Sequence, residues 1–418
     1  MIKTFYFKDE NKYKRLYFLN FKLFKIKKRF SNKHIKNIIK NIELKAKNNL
    51  PIQTPLTPTP NNLILNTIKG LNDFYFIANA GNLGDAIIAN SEFQILNFLK
   101  KNLRKVNYAK PIEITTPFNF IYGGGGLFLS IYKENLKEIF DILRNKLLQQ
   151  CVILPSSFYN IPELIEIIDD RFTIFCREKR SYEYLKNNNT KAKIYLSDDM
   201  AFATDVNFYY NSGFTNEQLN NLKENLQNMS LPQIKQVLYD YFFNYSLIYN
   251  KTKEILNTIK QDKLKTAYLL RNDPEKNIES NININSFDLS DCGRIRDKSC
   301  FDNAYVQIIS ELFFSAVDCA DIIVTDRLHI GISAALLNKE VFLFDNNYGK
   351  VSGVYEQTMK SMKNVHLVKG NSLKNINEII NSYDVKKTAN IEHLKNMNLN
   401  TEQFLIKYLA YKNINNKN

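Results

Sequence analysis

The chain is 418 residues long, carries 57 Lys and Arg against 42 Asp and Glu, and is 44% hydrophobic. That length exceeds the usual size of one domain and predicts two domains with additional segments. Residues 1–50 hold 15 of the basic residues and only 3 acidic ones, so the other 368 residues are nearly neutral. Because a nucleic-acid-binding enzyme is more often basic over its folded body, we expect no nucleic-acid partner.

The cysteines and the apolar runs bear on compartment and cofactors. The five cysteines are scattered, without the pairs or the His spacings that bind zinc, and no carboxylate cluster indicates another metal. No signal peptide is evident, and no apolar run approaches the ~20 residues needed to span a bilayer. We therefore expect a cytoplasmic protein with reduced thiols, no metal site and no cofactor.

The N-terminal segment, residues 1–48, is basic and aromatic. Apolar side chains recur along one face of a predicted helix: Leu16, Leu19, Leu23, Ile26 and Phe30. Such a segment suits the surface of an anionic membrane, and packing on the protein itself or on a partner explains it equally well. The prolines within residues 51–60 predict a stiff linker, so we assign residues 1–65 to a basic helical N-terminal extension.

The first predicted domain covers residues 66–202 and begins with a strand, a glycine-containing turn and a helix. Gly81, Asn82 and Gly84 lie in that turn, where the backbone can approach a ligand and the helix N-terminus offers free N–H groups to an anion. Asp85 comes next. Its carboxylate is either a general acid or base, or an acid that caps the helix.

Two further strand ends in this domain indicate ligand contacts. A strand at residues 120–122 runs into four consecutive glycines. Because such a run costs considerable backbone entropy, we expect Gly123, Gly124 and Gly125 to face a ligand. Arg177 follows a later strand. The repeated alternation of strands and helices predicts a parallel, doubly wound sheet.

A change in composition separates this domain from the next. Residues 203–262 are rich in Asn and helical in period, and we interpret them as a helical insertion between the domains. The second predicted domain covers residues 263–375 and includes a short strand at 287–289. A C-terminal helical tail follows at residues 376–418.

Three strand ends in the second domain carry polar side chains. Arg271 follows the first strand, and Arg327 and His329 follow a β-branched run at 322–324. Three more polar residues follow the next strand: Asn347, Tyr348 and Lys350. Because ligands of open α/β sheets bind just beyond the carboxyl ends of the strands, we predict a site formed by these residues.

A series of motifs in this chain occurs in the order found in one known family. The motifs are GNLGDAII (81–88), YGGGGLF (122–128), the Arg-Glu-Ser element at Arg177, Glu178 and Ser181, SDDMAF (197–202), LLRND (269–273), and TDRLHIGISAALL (325–337) with DNNYGK (345–350). Over residues 72–356, without the N-terminal extension, the chain resembles the polysaccharide pyruvyl transferase family. The resemblance implies an α/β fold of two Rossmann-like domains facing a cleft, a GT-B-like arrangement.

The resemblance also implies a reaction, in which a pyruvyl group moves from phosphoenolpyruvate to two hydroxyls of one sugar of a bacterial surface glycan and forms a cyclic ketal. This donor carries a phosphate and a carboxylate, which suits Arg327, Arg177 and Arg271. His329 is the predicted source of the proton, because its pKa suits proton transfer near neutrality. Asp85 is the next candidate, and the turn and loop residues named above complete the predicted donor- and substrate-binding site.

Two other functions remain open from the sequence. A GT-B-type glycosyltransferase using a nucleotide sugar would also need a glycine-lined turn and a phosphate-binding basic residue. A noncatalytic scaffold of a glycan assembly complex would depend most on the basic extension. For the transferase we expect phosphoenolpyruvate and a saccharide acceptor, lipid-linked or polymeric, as partners. We also expect an anionic membrane surface contacted through residues 1–50, which would place the enzyme at the inner face of the cytoplasmic membrane.

Overall fold

The computed structural model describes residues 31–412, apart from 49, 53–57, 100–102, 106–113, 189–190, 207–212, 260–263, 274, 279–283, 296–298, 300–301, 371 and 375. The amphipathic face predicted from Leu16 to Phe30 lies outside these residues. None of the helices that the structure does describe has the length and apolarity that a membrane crossing requires.

The strands of the described residues form two parallel sheets and one short antiparallel pair. In chain order they are β1 (Phe74–Ile77), β2 (Gly81–Asn82), β3 (Leu103–Lys105), β4 (Phe118–Tyr122), β5 (Leu148–Ser156), β6 (Phe172–Cys176), β7 (Lys193–Leu196), β8 (Thr266–Leu269), β9 (Arg294–Ile295), β10 (Ile322–Thr325), β11 (Glu340–Leu343) and β12 (Val365–Leu367). Sheet A has the order β3-β1-β4-β5-β6-β7, and sheet B has the order β12-β11-β10-β8. The prediction of an α/β fold with parallel sheets is confirmed.

Helices cover these sheets, and further helices come before the first strand and after the last strand of the described residues. They are α1 (Asn32–Lys47), α2 (Asn62–Gly70), α3 (Leu83–Phe98), α4 (Lys137–Leu143), α5 (Pro162–Ile167), α6 (Lys179–Asn187), α7 (Asn216–Asn228), α8 (Leu231–Val237), α9 (Phe243–Thr252), α10 (Ile255–Thr258), α11 (Asn303–Val317), α12 (Leu328–Leu336), α13 (Lys350–Val354), α14 (Ile376–Asn381), α15 (Ile391–Asn396) and α16 (Thr401–Tyr411). Several begin at a side-chain cap, as Asn and Thr favour: Ser31 for α1, Asn82 for α3, Thr215 for α7 and Asn400 for α16.

Alternation along the strands distributes the apolar side chains among three cores, because successive residues of a strand point to opposite faces. Ile121 of β4 and Ile323 of β10 belong to one core that extends between the two sheets and their helices. Phe120 contributes to a second core on the other face of sheet A, and Val324 to a third on the other face of sheet B. The two sheets therefore share their largest core.

Helices α3 and α11 join the two sheets directly. They pack against each other, and both are buried along almost their whole length. The Ser310 hydroxyl in α11 donates a hydrogen bond to the carbonyl of Ala86 in α3 at 3.2 Å. Close to this contact, Gly81 of β2 pairs with Ile295 of β9, which ties the turn after β1 to the second half of the chain.

Two segments differ from what the sequence predicted. The sequence predicted a short strand at 287–289, and this prediction is wrong. Residues Leu289–Cys292 form a 3₁₀ turn, and the Asp288 carboxylate accepts hydrogen bonds from the N–H of Asn272 and from Arg327. Helix α1, within the predicted extension, packs through Ile35, Ile38 and Ile42 into the shared core and against α7 and α16. The second half of the extension is therefore part of the folded body.

Candidate active site

A cavity of about 1180 Å³ opens between the carboxyl ends of the two sheets. Most of its lining comes from the segments that follow β1, β4, β5, β6, β8, β10 and β11, and the rest from residues 290–295. The structure brings together ten residues that the sequence predicted for a site: Gly81, Asn82, Asp85, Arg177, Arg271, Arg327, His329, Asn347, Tyr348 and Lys350. Strand-end position was enough to select them, because parallel strands of one sheet end at the same edge.

Three glycines that the sequence predicted to face a ligand, Gly123, Gly124 and Gly125, are not among the residues that line this cavity. A Cβ on Gly124 would lie 2.6 Å from the carbonyl oxygen of Pro155. On Gly125, where φ is +146°, a Cβ would lie 2.0 Å from Nδ2 of Asn79. These glycines therefore let neighbouring strand ends pack closely, and the packing offsets the backbone entropy that the glycines lose on folding.

Two other glycines lie against charged or titratable side chains of the cavity, Arg177 and His329. Gly126, the last of the run, does line it, and a Cβ there would lie 3.2 Å from Nη2 of Arg177. Gly84 lies behind the lining, where a Cβ would come within 2.8 Å of Nδ1 of His329. Glycine at position 84 therefore makes room for the imidazole ring.

A buried carboxyl group that the sequence did not predict, Glu92, holds the glycine run in place. Glu92 lies in α3, is 1% exposed, and accepts the main-chain N–H of Gly124 at 2.5 Å. Burial raises the pKa of Glu92 well above its usual value. The signal in the sequence is an acidic residue between the apolar residues Ile88 and Phe93 of this helix, where an unpaired carboxylate would be costly.

Side chains from both sheets meet at Asp199. Arg177 donates from Nη1 to Asp199 Oδ2 at 2.7 Å and from Nε to the Ser157 hydroxyl at 2.8 Å. His329, at the start of α12 on sheet B, brings Nε2 within 3.6 Å of the same Asp199 oxygen. Burial opposes ionisation of Asp199, but Arg177 and His329 outweigh it and hold the pKa of Asp199 below its usual value.

The two arginines of sheet B are also bound by carboxylates. Arg327 forms a two-pronged pair with Asp288, at 3.1 Å from Nε and 2.6 Å from Nη2, and reaches Asp273 with Nη1 at 2.8 Å. Arg271 bonds Asp273 from Nε at 2.8 Å. Asp273 therefore bridges both guanidinium groups and keeps them side by side at the cavity.

Glu275 is the most densely bound carboxylate of the cavity and is 7% exposed. Its five donors are Arg271 Nη2 (2.7 Å), the Tyr348 hydroxyl (2.8 Å), Lys350 Nζ (3.2 Å), Asn346 Nδ2 (3.3 Å) and the Tyr132 hydroxyl. Burial opposes ionisation, but Lys350 and Arg271 outweigh it and hold the pKa of Glu275 below its usual value. Burial lowers the pKa of Lys350.

Asp326 and Asp85 hold the backbone at the rims of the two sheets. Asp326 Oδ1 accepts the N–H of Arg271 at 2.9 Å, and burial raises the pKa of Asp326 to about 6. Asp85 accepts the N–H of Asn82 at 2.9 Å, while Asn82 accepts the N–H of Gly84 at 2.8 Å. The helix-capping interpretation of Asp85 is therefore realised, and its carboxylate also lines the cavity.

In chemical terms the cavity offers guanidinium and ammonium groups for anions and an imidazole for proton transfer. Among the described residues, no three His, Cys, Asp or Glu side chains come together as a metal site would need. A sequence model of the polysaccharide pyruvyl transferase family matches residues 4–348. The chain belongs to this family. The match begins at residue 4, so the family pattern includes the basic extension, which the motif resemblance had left out.

As a member of the pyruvyl transferase family, the protein is a transferase that acts on a saccharide in polysaccharide synthesis. A solved structure, that of a functionally uncharacterised protein from Klebsiella pneumoniae subsp. pneumoniae NTUH-K2044, has a similar fold with a TM-score of 0.54. It is 22% identical and covers 74% of this chain and 96% of its own. That similarity supports the fold alone. A search of curated proteins finds no match.

Sequence reasoning predicted the cations of the site but gave no role to the carboxylates that hold them: Asp199, Asp273, Glu275 and Asp288. Asp199 and Asp273 lie in the motifs quoted above, next to strand ends, and that position was the available signal. Tyr132 and Glu275 lie within a 3₁₀ turn and a loop, where neither periodicity nor a motif marks them.

Proposed function

We propose that this enzyme transfers the pyruvyl group of phosphoenolpyruvate to two hydroxyls of one sugar and releases phosphate. The observation that carries the proposal is the meeting of His329 with the Arg177–Asp199 pair, in a cavity that Arg271 and Arg327 also line. An acid beside several guanidinium groups is what an anionic enol ester requires. We further propose that the two sheets form a GT-B-like pair of Rossmann-like domains.

The proposed reaction consumes one donor and one diol. A proton adds to the methylene carbon of phosphoenolpyruvate, C2 becomes electrophilic, and the first sugar hydroxyl attacks it. The bond from C2 to the phosphate oxygen then breaks, the second hydroxyl attacks C2, and a cyclic ketal results. The two sugar hydroxyls lose two protons in all. One replaces the proton that was added to the methylene carbon to make the methyl group, and the other leaves with inorganic phosphate. In this scheme His329 supplies the proton to carbon, and Asp199 stabilises the imidazolium before transfer.

Binding and product measurements test this function. We expect phosphoenolpyruvate to bind in calorimetry, and phosphate to be released when a saccharide acceptor is added. Arg327→Lys keeps the positive charge but loses the planar guanidinium that can bind a phosphate or a carboxylate at two points, so the affinity for phosphoenolpyruvate should fall. If a nucleotide sugar binds and supports transfer while phosphoenolpyruvate releases no phosphate, the protein is a glycosyltransferase. Binding of neither donor would favour a scaffold role.

We also propose that the enzyme works at the inner face of the cytoplasmic membrane on a lipid-linked acceptor. The support is the excess of 15 basic over 3 acidic residues in residues 1–50. Each Lys or Arg close to an anionic leaflet contributes on the order of 1 kcal/mol. The deletion that tests this should end at residue 30, because α1 packs into the core. Removing residues 1–30 should abolish sedimentation with anionic vesicles and leave activity on a water-soluble acceptor. Undiminished vesicle binding would contradict the proposal.

A further inference from the structure

The Glu275 carboxylate differs in what holds it from six other carboxyl groups in and around the cavity. Six others each accept a main-chain N–H: Asp85, Glu92, Asp199, Asp273, Asp288 and Asp326. Glu275 is bound within the described part of the chain by side chains only. Moving the Glu275 carboxylate would therefore leave the backbone hydrogen bonds of every strand end intact.

The donors around Glu275 have the chemistry of an anion site. Arg271 and Lys350 bring positive charge, while the hydroxyls of Tyr132 and Tyr348 and the amide of Asn346 donate without adding any. They come from three separate segments, after β4, β8 and β11, and converge on one point beside the cavity. Several convergent donors with net positive charge suit a phosphate or a carboxylate.

The charges of the cavity are already balanced, which limits how an anion can enter. Arg177 is paired with Asp199, Arg327 with Asp288 and Asp273, and both Arg271 and Lys350 with Glu275. A ligand that carries a phosphate or a carboxylate would add negative charge to this network at low dielectric. The cost falls if one carboxylate leaves as the ligand binds. Of the four paired carboxylates Asp199, Asp273, Glu275 and Asp288, Glu275 is the one that accepts no main-chain N–H within the described residues.

We propose that the five donors around Glu275 form the binding site for a phosphate or carboxylate group of the ligand, and that Glu275 competes with that group for them. Binding then exchanges one carboxylate for one anionic group and sends Glu275 towards solvent. This deepens the proposed function and rests on it only for the choice of phosphoenolpyruvate as the ligand. The exchange itself requires nothing of the ligand except an anionic group of this kind.

Small anions test the exchange without turnover. Binding of inorganic phosphate and of pyruvate would be measured by calorimetry on the full chain at pH 7 and fixed ionic strength. Glu275→Ala should tighten binding of at least one of the two anions by about tenfold or more, because it removes an internal competitor. Glu275→Gln, which keeps the size and hydrogen bonding of the side chain, should tighten it less. Tyr348→Phe added to Glu275→Ala should reverse part of the gain.

Glu138→Ala is the control for loss of an acidic residue from the cavity lining, because Glu138 lines the same cavity, is exposed and is not bound to these donors. Its removal changes the cavity charge by the same amount and should alter anion affinity less than threefold. Tightening for phosphate alone assigns the site to a phosphate group, and tightening for pyruvate alone assigns it to a carboxylate. Equal gains in Glu138→Ala, or no gain in folded Glu275→Ala and Glu275→Gln, would overturn the exchange. A preference for nucleotide sugars would instead overturn the proposed function and leave the exchange standing.

Discussion

The carboxyl edges of sheets A and B are both held by buried carboxyl groups, but they present different residues to the cavity. On sheet A a buried carboxyl group, Glu92, accepts the N–H of Gly124, and on sheet B Asp326 accepts the N–H of Arg271. Burial raises the pKa of both carboxyl groups. Each edge thus includes a buried acid that binds the main chain of a strand end. The residues whose N–H groups these two acids bind, Gly124 and Arg271, differ in what they offer the cavity.

On sheet A the residue bound by the buried acid belongs to a glycine run and allows close packing, whereas on sheet B it is Arg271 and brings charge. Arg177 is the exception on sheet A, and its charge is neutralised by Asp199. Strand-end position therefore selects the site, while the local side chain decides between a packing role and a binding role.

His329 is the residue through which the two edges depend on each other. If it supplies the proton, His329→Gln should lower phosphate release by roughly 10²–10⁴-fold and leave the affinity for phosphoenolpyruvate unchanged. Steady-state rates and calorimetry on the same variant measure both quantities. Asp85→Asn is the control, because an amide oxygen can still cap α3, and its rate should stay near that of the wild type. A larger loss in Asp85→Asn than in His329→Gln would assign the proton to Asp85.

The Arg177–Asp199 pair should contribute to stability far more than a surface pair on the same part of sheet A. Arg177 is 1% exposed, and removing one partner of a buried pair leaves an unpaired charge. Arg177→Met should lower the free energy of unfolding in urea by about 3–5 kcal/mol. Lys179→Met, which breaks an exposed pair with Glu183, should change it by less than about 1 kcal/mol. Similar losses in both variants would show that burial does not decide the effect.

Asp326 gives sheet B a pH dependence with a defined sign. Its pKa is about 6 in the folded protein and about 3.9 in an unfolded chain, so the folded state binds the proton more tightly. The stability contributed by this residue is full below about pH 4 and is lost as pH rises through 6. The loss is on the order of 2 to 3 kcal/mol.

Asp326→Asn should remove this fall between pH 4 and 7 when urea unfolding is measured across the range. The amide oxygen can still accept the N–H of Arg271, so the backbone contact is kept. Glu92→Gln is the matched variant on sheet A, where burial raises the pKa in the same direction. An unchanged slope in Asp326→Asn would mean that Asp326 is ionised throughout the range.

Gly125 tests the packing role of the glycine run. Its φ of +146° and the 2.0 Å that would separate a Cβ from Asn79 Nδ2 make alanine unfavourable. Gly125→Ala should lower the free energy of unfolding by about 1–3 kcal/mol. Gly70→Ala is the control, because a Cβ there meets nothing within 4 Å, and it should be neutral or slightly stabilising. Loss of donor affinity in a fully stable Gly125→Ala protein would restore the ligand-facing interpretation.

The sequence predicts the strand ends of this protein well and the connections between them poorly. Hydrophobic runs mark the buried strands, and the polar residues after them lie at the carboxyl edge of each sheet. Arg177 lies at this edge of sheet A, and Arg271 and Arg327 lie at this edge of sheet B. Their carboxylate partners could not be predicted from local patterns. Asp288 lies 39 residues from Arg327, and Tyr132 lies 143 residues from Glu275. Such pairs depend on how the loops fold over each other, which periodicity does not encode.

The glycine run shows a second limit. Four glycines in a row indicate that the backbone comes close to something, and the sequence does not say whether that is a ligand or the protein itself. Here Gly124 approaches the carbonyl of Pro155, whose strand pairs beside its own. The capping role of Asp85, by contrast, was available from the sequence, because an acid in the first turn of a helix commonly binds the N-cap backbone.

The packing of α3 against α11 has a consequence for how substrates reach the cavity. A hinge motion that moved sheet A away from sheet B would separate these two almost wholly buried helices. It would also break the hydrogen bond from the Ser310 hydroxyl to the Ala86 carbonyl. The 3₁₀ turn Ser130–Leu136 also lies at the cavity, but on the surface, with Ile131 63% exposed and Tyr132 bound to Glu275. We expect entry to depend on this short turn and its Tyr132 side chain. Loop motions of that kind take nanoseconds to microseconds, so exchange of donor and product should outpace any rigid-body closure.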